Sequence, residues 1–113
     1  MKVCSVSYLN SIPFVYGLEK SGLEIDLSLE IPSVCGQKLI NNEVDLALLP
    51  VVVIPDLYYA DIVSSFCISS DGVVQTVCLF SEVPLDQIDT ILLDYHSSTS
   101  NALVKILCKH FWK

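Results

Sequence analysis

Apolar and polar positions alternate along the chain in short blocks whose period switches between two and about three and a half. Val3 to Tyr8 is a short β-type run that ends at Asn10-Ser11. A helix is predicted next, with Pro13 in its first turn, Gly22 ending it, and Phe14, Tyr16 and Leu18 along it. Ile25 to Ile31 alternates strictly (Ile25-Asp26-Leu27-Ser28-Leu29-Glu30-Ile31), the pattern of a half-buried strand. Pro32-Ser33 opens a second helix that stops near Asn41-Asn42, because asparagine tolerates the left-handed backbone found just past a helix end.

Val44 to Val53 is a continuous apolar run interrupted by Pro50, which predicts a strand covered on both faces. Ile62 to Ser69 and Val73 to Phe80 read as two strands joined at Asp71-Gly72, a pair that accepts the positive φ of a tight hairpin. Thr90 to Asp94 is a last short strand. Beyond Ser97–Ser100 comes a helix with Leu103, Ile106, Leu107, His110 and Phe111 on one stripe. β and α elements in this order predict an α/β fold around a largely parallel sheet. The chain stops directly on this helix, without the strand that a crossover helix normally leads back to. We therefore expect the N-terminal part of something longer.

Composition narrows the function. The 113 residues are 52% apolar and 17% charged, which excludes a disordered chain. Thirteen acidic residues against six lysines give a net charge of −7, and there is no arginine. Phosphate neutralisation needs a basic surface, so nucleic acid is not an expected partner. Mean hydropathy is high, at +0.58. The longest uncharged apolar run, Leu46 to Pro55, is nevertheless only ten residues, against about 20 for a spanning helix. No membrane partner is expected. Ser5, Ser7, Tyr8 and Asn10 interrupt any export signal after Lys2, and five unpaired, widely spaced cysteines (Cys4, Cys35, Cys67, Cys78, Cys108) suit a reducing cytoplasm. They read as core-filling thiols, with no zinc-type spacing and no metal or cofactor implied. The pattern specifies no oligomeric state.

Two strand-to-helix junctions gather small hydrogen-bonding side chains: Tyr8-Leu9-Asn10-Ser11-Ile12-Pro13 and Asp94-Tyr95-His96-Ser97-Ser98-Thr99-Ser100. Free N–H groups and the positive end of a helix dipole make such a junction an anion site. Hydroxyls at Ser97, Ser98, Thr99 and Ser100 add donors without charge. Ordinary helix capping accounts for the same residues, and both readings stay open at this point. Asp45 reads as structural, His96 as a surface or capping residue, and His110 as part of the helix's packed face. Asp94 reads equally as a helix-start acid or a site residue. Dinucleotide, phosphate-loop and serine-nucleophile motifs are absent.

Taken together, VSYLNSIPFVYGL at Val6–Leu18, EVDLALLPV at Glu43–Val51, CISSDGVVQTVCLFS at Cys67–Ser81 and LDYHSSTSNALVKIL at Leu93–Leu107 resemble the chorismate dehydratases of the futalosine route to menaquinone. The resemblance runs over nearly the whole chain. It departs from the family's pattern at Asn42, where glycine is usual, at Thr76, where serine is frequent, and at Ser98, where arginine is usual. It implies a two-lobed fold like that of type 2 periplasmic binding proteins, with a ligand cleft between the lobes. Residues 1–83 would belong to the first lobe and 84–113 to the start of the second, the remainder of both lobes being missing.

The implied reaction removes water from chorismate to give 3-[(1-carboxyvinyl)oxy]benzoate, driven by aromatisation of the ring. By the same resemblance, Asn10 and Thr76 would be catalytic contacts at the reacting centre, while Ser11, Ser97, Ser98, Thr99 and Ser100 would bind the anionic substrate. No protein base is legible, so a carboxylate of the substrate is expected to take the proton. A chain ending at Lys113 is expected to be inactive by itself. Two alternatives share the fold: a cleft-type binder of small anionic solutes, and the naphthoate-forming sister enzyme of the same pathway.

Overall fold

In the computed structural model, which describes residues 1–112, the sheet is built around β1 (Lys2–Val6). β1 pairs in parallel with β2 (Asp26–Glu30) on one side and with β3 (Leu46–Ala47) on the other, so the order is β2-β1-β3. Val3 lies opposite Leu27 and Leu46, and Cys4 opposite Ser28 and Ala47. The ladder runs past the short β3: Asp45 N–H donates to the Lys2 carbonyl, and Leu48 N–H to that of Cys4, both at 2.9 Å. Val3, Cys4, Ser5 and Val6 are all buried, as a strand flanked on both edges and covered on both faces must be.

The first crossover runs from β1 to β2 and the second from β2 back past β1 to β3, opposite directions along the sheet that send their helices to opposite faces. α1 (Ile12–Lys20) lies over the face of Leu27 and Leu29, and α2 (Pro32–Ile40) over the face of Cys4 and Val6. Proline sits in the first turn of each, where its missing N–H costs nothing. α1 is capped at Ser21 just before Gly22 (φ +73°), and α2 at Asn41 just before Asn42 (φ 56°), as the sequence predicts. The core of the α2 face is Cys4, Val6 and Cys35, with Val44, Ala47 and Leu48 packed around it. Lys38 Nζ reaches Glu30 Oε1 at 2.5 Å and ties the last turn of α2 to the end of β2.

Three expected strands do not form. Only Leu46–Ala47 of the Val44–Val53 run is strand; Pro50 then starts a 3-10 helix, Val51–Asp56. Proline brings no N–H to continue a ladder, and its carbonyl accepts instead from Val53 N–H at 3.0 Å. Ile62–Ser69 and Val73–Phe80 are unpaired, although Gly72 adopts the turn-compatible φ of +93°. A two-stranded ribbon needs a layer to cover its apolar face, and here Val73 and Phe80 are 91% and 89% exposed. Thr90–Asp94 likewise meets no neighbouring strand. Residues 57–84 contain no regular element, then come a 3-10 turn at Leu85–Gln87 and α3 (Ser98–His110), which packs against Val51–Asp56. This long unpaired stretch gives a radius of gyration of 16.5 Å, against about 13 Å for a compact chain of this size.

The predicted stripe of α3 is correspondingly at the surface, with Leu103, Ile106, Phe111 and His110 exposed. Of the five thiols, Cys4 and Cys35 fill the core, whereas Cys67, Cys78 and Cys108 are exposed. Asp45 is structural, as expected, its Oδ2 accepting from Lys2 N–H at 2.7 Å. Among the described residues, no helix is long and apolar enough to cross a membrane.

Two stability predictions follow from the α2 face. A Cβ placed on Gly36 would stand 2.9 Å from Val53 Cγ2, and the β-branched valine has little freedom to yield. Gly36→Ala should therefore destabilise the chain by about 1–3 kcal/mol in urea unfolding, despite alanine's better helix propensity. In a Val53→Ala background the same substitution should become neutral or stabilising. The second concerns pH. Burial, reinforced by the neighbouring Cys4 thiol, pushes the Cys35 thiol from 9.0 up to about 12. The folded chain then keeps a proton that the unfolded chain releases, so stability should hold below pH 9 and fall between pH 9 and 12. The slope should be at most about 1.4 kcal/mol per pH unit, and Cys35→Ala should remove that component from urea titrations.

Candidate functional site

The strand order β2-β1-β3 places a switch point between β1 and β3, where the chain leaves toward opposite faces. In open α/β sheets, ligands bind above the carboxyl ends of the strands at such a point. The segment emerging there from β1 is Ser7-Tyr8, followed by a 3-10 turn at Leu9–Ser11 that runs into α1. The turn closes through Ser11 N–H donating to the Tyr8 carbonyl at 3.0 Å. Asn10 stands exposed at its crest, flanked by exposed Leu9 and Ile12.

Ser11 is placed differently from its neighbour. It is 1% exposed, and its Oγ lies between the carbonyl oxygens of Val6 and, at 2.7 Å, Tyr8. Both are acceptors, so the hydroxyl is committed to the main chain and points into the protein. Ser11 thereby ties the end of β1 to the turn that carries Asn10. No side chain caps α1 and no acidic residue lies in its first turn; Ile12 N–H is taken by the Leu9 carbonyl and Pro13 has none, so it is mainly the positive dipole end that lies beside Asn10.

The second junction is organised as a cap. Ser97 Oγ accepts from Ser100 N–H at 3.3 Å and donates to Ser100 Oγ at 2.8 Å. Asp94 anchors the approach: its Oδ1 accepts from His96 N–H at 2.9 Å and its carbonyl from Asn101 Nδ2 at 2.8 Å. His96 packs edge-on to Tyr95, ring centres 4.1 Å apart. Ser97 and Ser100 are thus engaged with each other, while Ser98 is half-buried and Thr99 exposed at the helix start. Thr76 lies in an exposed turn of the irregular stretch.

Among the described residues, no hydrogen bond links Asn10, Thr76 and the Ser97–Ser100 segment. Two depressions in the surface lie elsewhere. A groove of about 460 Å³ runs between α1 (Val15, Leu18) and β2 (Leu27, Leu29), and a smaller polar one borders Lys2, Asp26 and Lys38. The sequence reading missed one juxtaposition, the contact of Cys4 with Cys35, whose Sγ atoms are 3.2 Å apart. A strand position and a helix position 31 residues apart show no spacing signal; only the alternation of β1, which puts Cys4 on the α2 face, could have suggested it.

Removing the Ser11 hydroxyl takes a donor from the Val6 carbonyl in the buried end of β1, while the Tyr8 carbonyl keeps the Ser11 N–H. Ser11→Ala should cost about 1–3 kcal/mol of stability in chemical denaturation. Ser7→Ala, at an exposed position in the same segment, should cost much less.

No solved structure matches the chain. A family model described as menaquinone biosynthesis matches residues 1–113, the full chain. With the opening motif folded as the β1-to-α1 turn at a sheet switch point, and the match unbroken from end to end, this chain belongs to the menaquinone biosynthesis family.

Proposed function

We propose that this chain carries one edge of the site of a chorismate dehydratase, with Asn10 at the reacting centre. Membership of the menaquinone biosynthesis family supports an enzyme of that route, and the S-Y-L-N-x-x-P-F opening supports the dehydratase within it. The observation that carries the reading is the exposed Asn10, raised on a turn at the switch point beside an uncapped helix start. The reaction asks little of protein acids or bases. A ring proton and the neighbouring hydroxyl leave as water, and the ring becomes aromatic. Asn10 offers an amide N–H to the departing hydroxyl, and the positive dipole end of α1 beside it favours a carboxylate of the dianion. Ser11 serves the same edge by fixing the turn. The proton passes to a carboxylate of the substrate.

In the same reading, residues 1–83 form part of one lobe and 84–113 begin another, as in two-lobed periplasmic binding proteins. Thr76 adds a second polar contact, and Ser97, Ser98, Thr99 and Ser100 face Asn10 across the cleft between the lobes. The open helix start at Ser98 and Thr99 supports that role, because capping occupies only Ser97 and Ser100.

The test uses the protein in the full length that its gene encodes, incubated with chorismate while the absorbance of an enol-ether benzoate is followed. Product formation by the native protein, reduced at least a hundredfold in Asn10→Ala with an unchanged melting midpoint, is the expected result. Near-normal turnover by Asn10→Ala overturns the residue assignment. Absence of product with native protein favours the naphthoate-forming sister enzyme or a solute binder, which calorimetry with candidate ligands then separates.

A further inference from the structure

Cys4 on β1 and Cys35 on α2 are the two fully buried cysteines of the chain; the Cys4 thiol donates to Cys35 Sγ, and the Cys35 thiol faces the Glu30 carbonyl at 4.0 Å. Their sulfurs are 3.2 Å apart, against about 2.05 Å in a disulfide, so about 1.2 Å of closure separates contact from a bond. The residues bracketing them are the best anchored in the molecule. Cys4 is held by ladders on both sides, and Cys35 N–H donates to the Ile31 carbonyl in the first turn of α2. Core-filling cysteines need no such meeting, because a thiol packs as well against Val6 or Ala47.

We propose that Cys4 and Cys35 are a redox-linkable pair, which a low-molecular-weight alkyl disulfide converts into an intramolecular disulfide joining β1 to α2. One cysteine, as its thiolate, attacks a sulfur of the small disulfide, forms a mixed disulfide and releases half of the reagent as a thiolate. The second cysteine gives up its proton, attacks the protein sulfur of that mixed disulfide and expels the other half. Two protein thiols are oxidised, one small disulfide is reduced to two thiols, and the released thiolates take up the two protons.

Burial sets the kinetics of this exchange. Neither sulfur is open to solvent, and the Cys35 thiol is pushed up to about 12, so the folded chain resists a reagent at neutral pH. Exchange then runs through transient opening of α2. The equilibrium is governed instead by geometry, since the fold already holds both sulfurs together across 31 positions of chain.

That distinction decides the experiment. In the chain with the exposed cysteines replaced (Cys67→Ser, Cys78→Ser, Cys108→Ser), the pair is brought to equilibrium in oxidised and reduced glutathione, both in native buffer and in concentrated urea. The Cys4–Cys35 link is then quantified by mass spectrometry after acid quench. The expected result is an oxidised-to-reduced ratio at least tenfold higher in native buffer than in urea. By linkage, the oxidised chain should also melt higher, by roughly 5 °C or more, and revert on reduction. A native ratio less than tenfold above that in urea, or a preponderance of mixed disulfides with glutathione, overturns the proposal. Circular dichroism of the reduced triple variant, matched to the unmodified chain, establishes that the comparison is made on the native fold.

Discussion

Parallel pairing on both edges of β1 is the constraint from which the ordered half of this molecule follows. A parallel ladder cannot be closed by a tight turn, so each neighbour of β1 has to be reached by a crossover long enough to hold a helix. Because β2 and β3 lie on opposite sides of β1, those crossovers bring α1 and α2 to opposite faces. Val3 to Val6 thereby lose solvent in every direction, and four consecutive residues carry most of the buried core. Only small or apolar side chains fit there, which explains why the strand reads Val-Cys-Ser-Val and why α2 brings Cys35 and Gly36 to its inner side.

The same constraint creates the edge at which the proposed site lies. Where the chain leaves β1 for α1 while the chain after β3 leaves the other way, the strand ends have no roof. The turn over this gap must be stiff to hold a side chain in place, and the inward Ser11 hydroxyl supplies that stiffness without occupying the surface. Asn10 and Ser11 are adjacent in sequence and similar in polarity, yet the turn sends one outward and the other in. Their division of labour is a property of local backbone geometry.

This also marks how much was legible in the sequence. Helix limits at Pro13, Gly22, Pro32 and Asn42, and the strands around Val3 and Leu27, depend on local rules: proline's missing N–H, positive φ, and a period of two. Those rules operate within a few residues and survive in the structure. The strands expected at Ile62–Ser69, Val73–Phe80 and Thr90–Asp94 obey the same local pattern. A strand, however, exists only by pairing, and alternation alone does not supply the partner or the covering layer. The division between Asn10 and Ser11 was hidden for a related reason, since no pattern of residue types says which of two polar neighbours a turn buries. Cys4 and Cys35 meet through the tertiary path of a whole βαβα segment, beyond any spacing rule.

Electrostatics ties the two junctions together. A chain of net charge −7 without arginine repels an anion at long range, so recognition of one has to come from oriented donors at short range. Helix starts supply such donors only when their own side chains leave them free. At α3 the Ser97–Ser100 pair and Asp94 consume part of that capacity, and the nearby carboxylate opposes an incoming anion. At α1 there is no acid in the first turn, but the 3-10 turn spends the Ile12 N–H on the Leu9 carbonyl and Pro13 has none, so the dipole end contributes more than free donors do. In the proposed reading, the Asn10 side is therefore the one without an opposing carboxylate.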